Sequence, residues 1–106
     1  MFNFLIAEPY EDRKIDNTVL KDNTVIDTCS VNDGHLPFET GIQSPKYNKG
    51  NWIIVEAYRT KKDAQKGHDK WVKVMSSIPL PEKLVDCSNS YIQSISGSEE
   101  FEFEGE

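Results

Sequence analysis

The sequence predicts an α+β domain: a small antiparallel sheet of three or four strands, one amphipathic helix packed on a face, and a flexible acidic C-terminal tail. Three observations carry the prediction. Two β-branched runs flank a Lys-Asp-Asn turn near the N-terminus, a ten-residue stretch is apolar on both of its faces, and that stretch leads directly into a segment of helical periodicity stopped by prolines. A chain of 106 residues, 37% of them hydrophobic, builds one modest core. The expected division is a single domain over residues 1–93 and an acidic tail over 94–106.

Residues 13–32 hold the two β-branched runs around Lys21-Asp22-Asn23, whose Asp and Asn tolerate the left-handed backbone of a tight turn, so they read as a hairpin. In its second arm Val25, Asp27, Cys29 and Val31 share a face, and Thr24, Ile26, Thr28 and Ser30 share the other. The Val/Cys face is the expected core side. Residues 32–51 carry three glycines, two prolines and four Asn or Asp, and read as a long loop pinned by Phe38, Ile42 and Tyr47. Residues 51–60 are expected as the central strand, because Trp52, Ile54 and Tyr58 on one face and Ile53, Val55 and Ala57 on the other suit a strand covered on both sides.

Thr60, with Asp63 three residues later, resembles a capping box and opens a helix over roughly 61–77. Ala64, His68, Trp71, Val72 and Met75 form its apolar stripe, lysines populate the opposite side, and Pro79 and Pro81 end it. Gly67 in its interior implies a neighbour packed too close for a methyl group. Residues 83–92 are a last short strand or an irregular segment. In the tail, Phe101 and Phe103 alternate with glutamates, a pattern suited to adding a strand to a sheet edge.

The net charge is −6, but its distribution is uneven: residues 51–80 hold six basic and three acidic residues, and residues 81–106 hold one and seven. The overall sign disfavours duplex nucleic acid. Lys61, Lys62, Lys66, Lys70 and Lys73 give a basic helix face that is either simply solvated or, with Tyr47, Trp52 and Tyr58 as stacking aromatics, a site for a small anionic ligand such as a nucleotide. His68 is either a hydrogen-bonded core histidine or a general base oriented by Glu56 or Asp63. Glu56 is either an ion-pair partner of Arg13, Lys14 or Arg59, or a ligand-orienting or catalytic acid. His35, Phe38 and Glu39 complete the candidate binding residues. No catalytic motif, cofactor or metal site is expected, since the glycines are scattered and the two histidines lack a thiol or acidic cluster. Cys29 and Cys87 read as reduced thiols. The apolar start, Met1–Ala7, lacks the flanks and length of a signal peptide or membrane span, so a cytoplasmic protein is expected.

Four segments, PFETGI (37–42), PKYNKGNWIIVE (45–56), YRT (58–60) and GHDKWV (67–72), together resemble a family of small proteins encoded by tailed bacteriophages and prophages, the likeness spanning roughly residues 8–87. The family has no assigned activity, so the resemblance implies an origin rather than a mechanism, and the acidic tail departs from it. With that origin, a small chain without a secretory signal or catalytic motif is expected to be a phage accessory protein in the cytoplasm of the infected host, binding a host protein without catalysis in takeover or anti-defence. The other readings are a nucleotide-sequestering or nucleotide-cleaving protein and a minor virion or assembly component. A core this small also makes a homodimer an expected partner state.

Overall fold

The turn at Lys21-Asp22-Asn23 forms as its residue types allow. Asn23 adopts a left-handed backbone with φ 72°, its N–H donates to Leu20 O at 3.0 Å, and the Asp22 carboxylate accepts from Thr24 N at 3.0 Å. This closure pairs β1 (Lys14–Val19) with β2 (Val25–Ser30) in antiparallel register, after a single helical turn α1 (Tyr10–Arg13). The computed structural model describes residues 10–32, 36–88 and 98–105. It adds β3 (Phe38–Gln43) and β4 (Ile53–Tyr58) to give a four-stranded antiparallel sheet in the order β1-β2-β3-β4. Helix α2 (Lys61–Met75) packs against all four strands, and β5 (Lys83–Asp86) pairs with β6 (Glu99–Glu102) in a second, two-stranded sheet. The class is α+β, as the sequence predicts.

Three local expectations are corrected. Residues 38–43, read as part of a loop, form β3, an interior strand. Gly41 masked its strand character; the residue is small because the Trp52 ring lies against it, with Trp52 Cε3 only 3.1 Å from where a Cβ would stand. Second, β4 ends the sheet rather than occupying its centre. Its outer edge is met by the β5 segment, where Cys87 N donates to Ile54 O at 2.8 Å. Third, α2 covers the face of β2 that carries Ile26 and Thr28. Cys29 and Asp27 on the opposite face are buried as well, with the α1 residue Tyr10 donating its hydroxyl to Asp27.

Beneath α2 the strand register lines up two rows. Ile26, Ile42 and Ile53 stand opposite one another and pack with Tyr47, Met75 and Leu84 as the apolar core. The adjacent row is polar: Thr28 faces Thr40, and Thr40 faces Glu56. A bulge makes this second row. Gly41 pairs with Ile54 while Thr40 pairs with Glu56, so β4 carries one extra residue, and Ile53, Glu56 and Tyr58 all reach the helix side. Simple alternation placed Ile53 and Tyr58 on opposite faces and is overturned by that one residue.

The helix starts at the expected cap, with Thr60 Oγ1 accepting from Asp63 N at 3.0 Å, and ends at Met75 ahead of the prolines. No helix among the described residues is long and apolar enough to cross a membrane. The tail takes the strand-adding role its phenylalanines suggest: β6 pairs within the chain, Phe101 packs on the core and Phe103 stacks edge-on against Tyr47 at 5.7 Å. Residues 94–97, the Met1–Ala7 stretch, Tyr91, Ile92 and His35 lie outside the described residues.

Gly67 is explained by Tyr58, whose ring and hydroxyl occupy the place where a Cβ would stand. Gly67→Ala should therefore destabilise the fold by about 1–3 kcal/mol from the steric conflict, against the helix-propensity gain of about 1 kcal/mol. Thermal unfolding of the variant measures the balance; a rise in melting temperature would show that Tyr58 swings aside at little cost.

Candidate functional site

The polar row under α2 is a continuous hydrogen-bonded chain crossing the whole sheet. His68, 1% exposed, projects from α2 between β1 and β2: its Nε2 lies 2.9 Å from Thr18 Oγ1 and its Nδ1 lies 2.8 Å from Thr28 Oγ1. Thr28 Oγ1 is 2.6 Å from Thr40 Oγ1, which is 3.0 Å from Tyr58 OH. Tyr58 donates to Glu56 Oε1 at 3.1 Å, and the same oxygen accepts from Lys70 Nζ at 2.6 Å and Trp71 Nε1 at 2.8 Å. Every strand of the sheet thus contributes one hydroxyl.

The carboxylate sets the direction of this chain. Burial would raise the Glu56 pKa, but the hydrogen bonds from Lys70, Trp71 and Tyr58 outweigh it and hold the carboxyl below its ordinary value, so it accepts. Burial and the adjacent carboxylate push the Tyr58 phenol well above its ordinary value, so it keeps its proton. That proton goes to Glu56, and Thr40 must then donate to Tyr58, Thr28 to Thr40, and His68 Nδ1–H to Thr28. In neutral His68 the remaining lone pair on Nε2 takes the Thr18 hydroxyl proton. With His68 neutral, this assignment supplies a proton to every contact in the chain.

Structure and sequence therefore agree on His68 as a hydrogen-bonded core residue and differ on its neighbours. Neither Glu56 nor Asp63 orients the ring; two threonines do, with Asp16 Oδ2 3.8 Å from Nε2. Asp16 is itself held below its usual range, first by the hydrogen bond from Gln65 at 3.0 Å. The partner of Glu56 is Lys70, not Arg13, Lys14 or Arg59. Composition gave no signal for Thr18, Thr28 and Thr40, because a threonine facing a core histidine reads the same as one facing water.

The expected nucleotide constellation is not assembled. Tyr47 and Tyr58 are buried, Tyr47 donating to Pro81 O, and Trp52 lies against Gly41 on the face away from α2. Phe38 is half-buried at the end of β3, and Glu39 is buried on the same strand beside Cys29. Lys62, Lys66, Lys70 and Lys73 do share the exposed side of α2, and beside it runs a groove whose walls include Glu56, Arg59, Asp63, Lys66 and Lys70. Among the described residues Arg59, Lys62, Lys66 and Lys73 have no ion-pair partner, while Lys70 is held by Glu56.

Cys29 and Cys87 are free, and burial pushes their thiols up to about 12 and about 11. No group of three or more His, Cys, Asp or Glu side chains suited to a metal ion occurs among the described residues. Comparison with family models, curated proteins and solved structures finds no match for this chain.

Two measurements check the chain of bonds. Thr40→Val keeps the side-chain shape but removes the middle hydroxyl, leaving Thr28 without its acceptor, and should lower stability by about 1–3 kcal/mol in chemical unfolding. Because the Glu56 pKa is depressed on folding, its contribution is present above the unfolded value, near 4.5, and is lost as pH falls through the folded value. Asp16 and Asp22 shift the same way. Comparing wild type with Glu56→Gln isolates the Glu56 share: the variant should lose less stability on acidification below about pH 4.5, and parallel curves would contradict the assignment.

Proposed function

We propose that the chain is a non-catalytic binding protein, a bacteriophage accessory protein whose lysine-bearing α2 face engages an acidic surface of a host protein in the host cytoplasm. One observation carries the reading: Arg59, Lys62, Lys66 and Lys73 lie at or near one exposed face without ion-pair partners among the described residues, in a chain whose net charge is −6. Segregated positive charge on an acidic protein is a steering surface for an anionic partner. A non-catalytic reading is supported by the interior, where His68, Tyr58 and Glu56 are hydrogen-bonded to one another or to threonines. A nucleotide would meet the charge, but of the three aromatics expected to stack its base, two are buried and one lies on the other side of the sheet.

The test is affinity purification of the tagged full-length chain and of its Lys62→Glu/Lys66→Glu/Lys73→Glu variant from host lysate. All three side chains are exposed, so the variant should keep its melting temperature. The proposal expects a stoichiometric host protein with the wild type, reduced by added salt and lost with the variant. Equal recovery by both chains, or recovery by neither, would overturn it.

A further inference from the structure

At the end of α2 remote from the lysine groove, Leu20, Met75, Ile78 and Leu80 line an apolar notch between the β1–β2 turn and the segment that follows the helix. Met75 closes it from the core side at 2% exposure, while Ile78 stands on its rim 98% exposed. The turn carrying Ile78 is braced. Ser77 N and Ser77 Oγ both donate to Val74 O, at 3.2 Å and 2.6 Å, and Ser77 Oγ also lies 3.2 Å from Pro79 O. An isoleucine is thus presented to solvent on a hydrogen-bonded turn, next to a recess able to receive a branched aliphatic side chain.

We propose that this patch is a two-fold interface between two copies of the chain, each copy's Ile78 seated in the other's notch. Two features favour a second copy over a different protein. A closed two-fold contact requires one patch to carry both the projecting group and its receptor, and here they are neighbours, with Met75 and Ile78 only three positions apart. The charges at the rim also have both signs, Lys21 and Lys46 with Asp22, and Lys46 pairs with Asp22 at 3.3 Å. Such a rim gives a strongly charged partner little to recognise, whereas a copy related by two-fold symmetry can set its own Asp22 against the opposing Lys21. One side chain per copy is a small anchor compared with interfaces that bury roughly 800 Å² per partner, so the dimer is weak and reversible.

Sedimentation velocity of the full chain over a concentration series from low micromolar to millimolar tests the proposal. The wild type should move from monomer mass toward twice that value, and Ile78→Asp should weaken association by at least about tenfold with an unchanged melting temperature. A second variant, Ser77→Cys, should give a disulfide-linked dimer on mild oxidation, faster than Ser88→Cys, which lies away from the patch. A wild type that stays monomeric throughout the series, or an Ile78→Asp chain that dimerises equally well, would overturn the assignment. So would a monomeric wild type whose capture of a host protein depends on Ile78. The triple lysine variant of the preceding section should dimerise like the wild type, so the two readings fail separately.

Discussion

A buried imidazole held between hydroxyls is the constraint around which the sheet and helix are arranged. His68 is almost completely removed from water, and a buried polar ring is tolerated only when both nitrogens are satisfied. Satisfying them requires Thr18 and Thr28 to stand on adjacent strands at one height under the helix. Thr28 then needs an acceptor, which fixes Thr40 opposite it, and Thr40 needs Tyr58. Strand register, helix position and side-chain direction are specified together, since a one-residue slip in any strand would strand a buried hydroxyl.

The bulge in β4 and the glycine in α2 serve the same arrangement. With one extra residue, β4 turns both Glu56 and Tyr58 toward the helix, so the chain of hydroxyls ends on a carboxylate at the surface. Gly67 lets the helix approach closely enough for the Tyr58 ring to fit beneath it. The apolar half of the interface, built on Ile26, Ile42, Ile53 and Met75, supplies the hydrophobic drive; the polar half selects one geometry from those the apolar half would accept. Two recesses flank this interior: a cationic groove that shares Glu56 and Lys70 with the polar chain, and an apolar notch floored by the core residue Met75.

Much of this was legible from local chemistry. The Asn23 turn, the Thr60 cap, the helical stripe and the crowding at Gly67 each depend on residues close in sequence, or on one residue whose type is costly without a reason. Strand β3 was hidden because Gly41 and its flanking prolines look like a loop until the Trp52 ring is seen to need the space. The position of β4 was misread because apolar residues on both faces do not distinguish an inner strand from the last strand of a sheet, here one whose outer edge is met through Cys87. The threonines could not be singled out at all. Their role depends on register across β1, β2 and β3, and the bulge that completes the row leaves no mark in composition or spacing.

The location of one proton fixes the direction of the whole hydrogen-bonded chain. Free imidazole favours the form protonated at Nε2, whereas a chain of donors ending at Glu56 requires neutral His68 to carry its proton on Nδ1. Long-range ¹H–¹⁵N correlation spectra of the labelled protein, recorded at a pH where His68 is neutral, separate the two forms by their nitrogen shifts. The Nδ1–H form is the predicted result; an Nε2–H signal would contradict the direction of the chain and with it the interior described above.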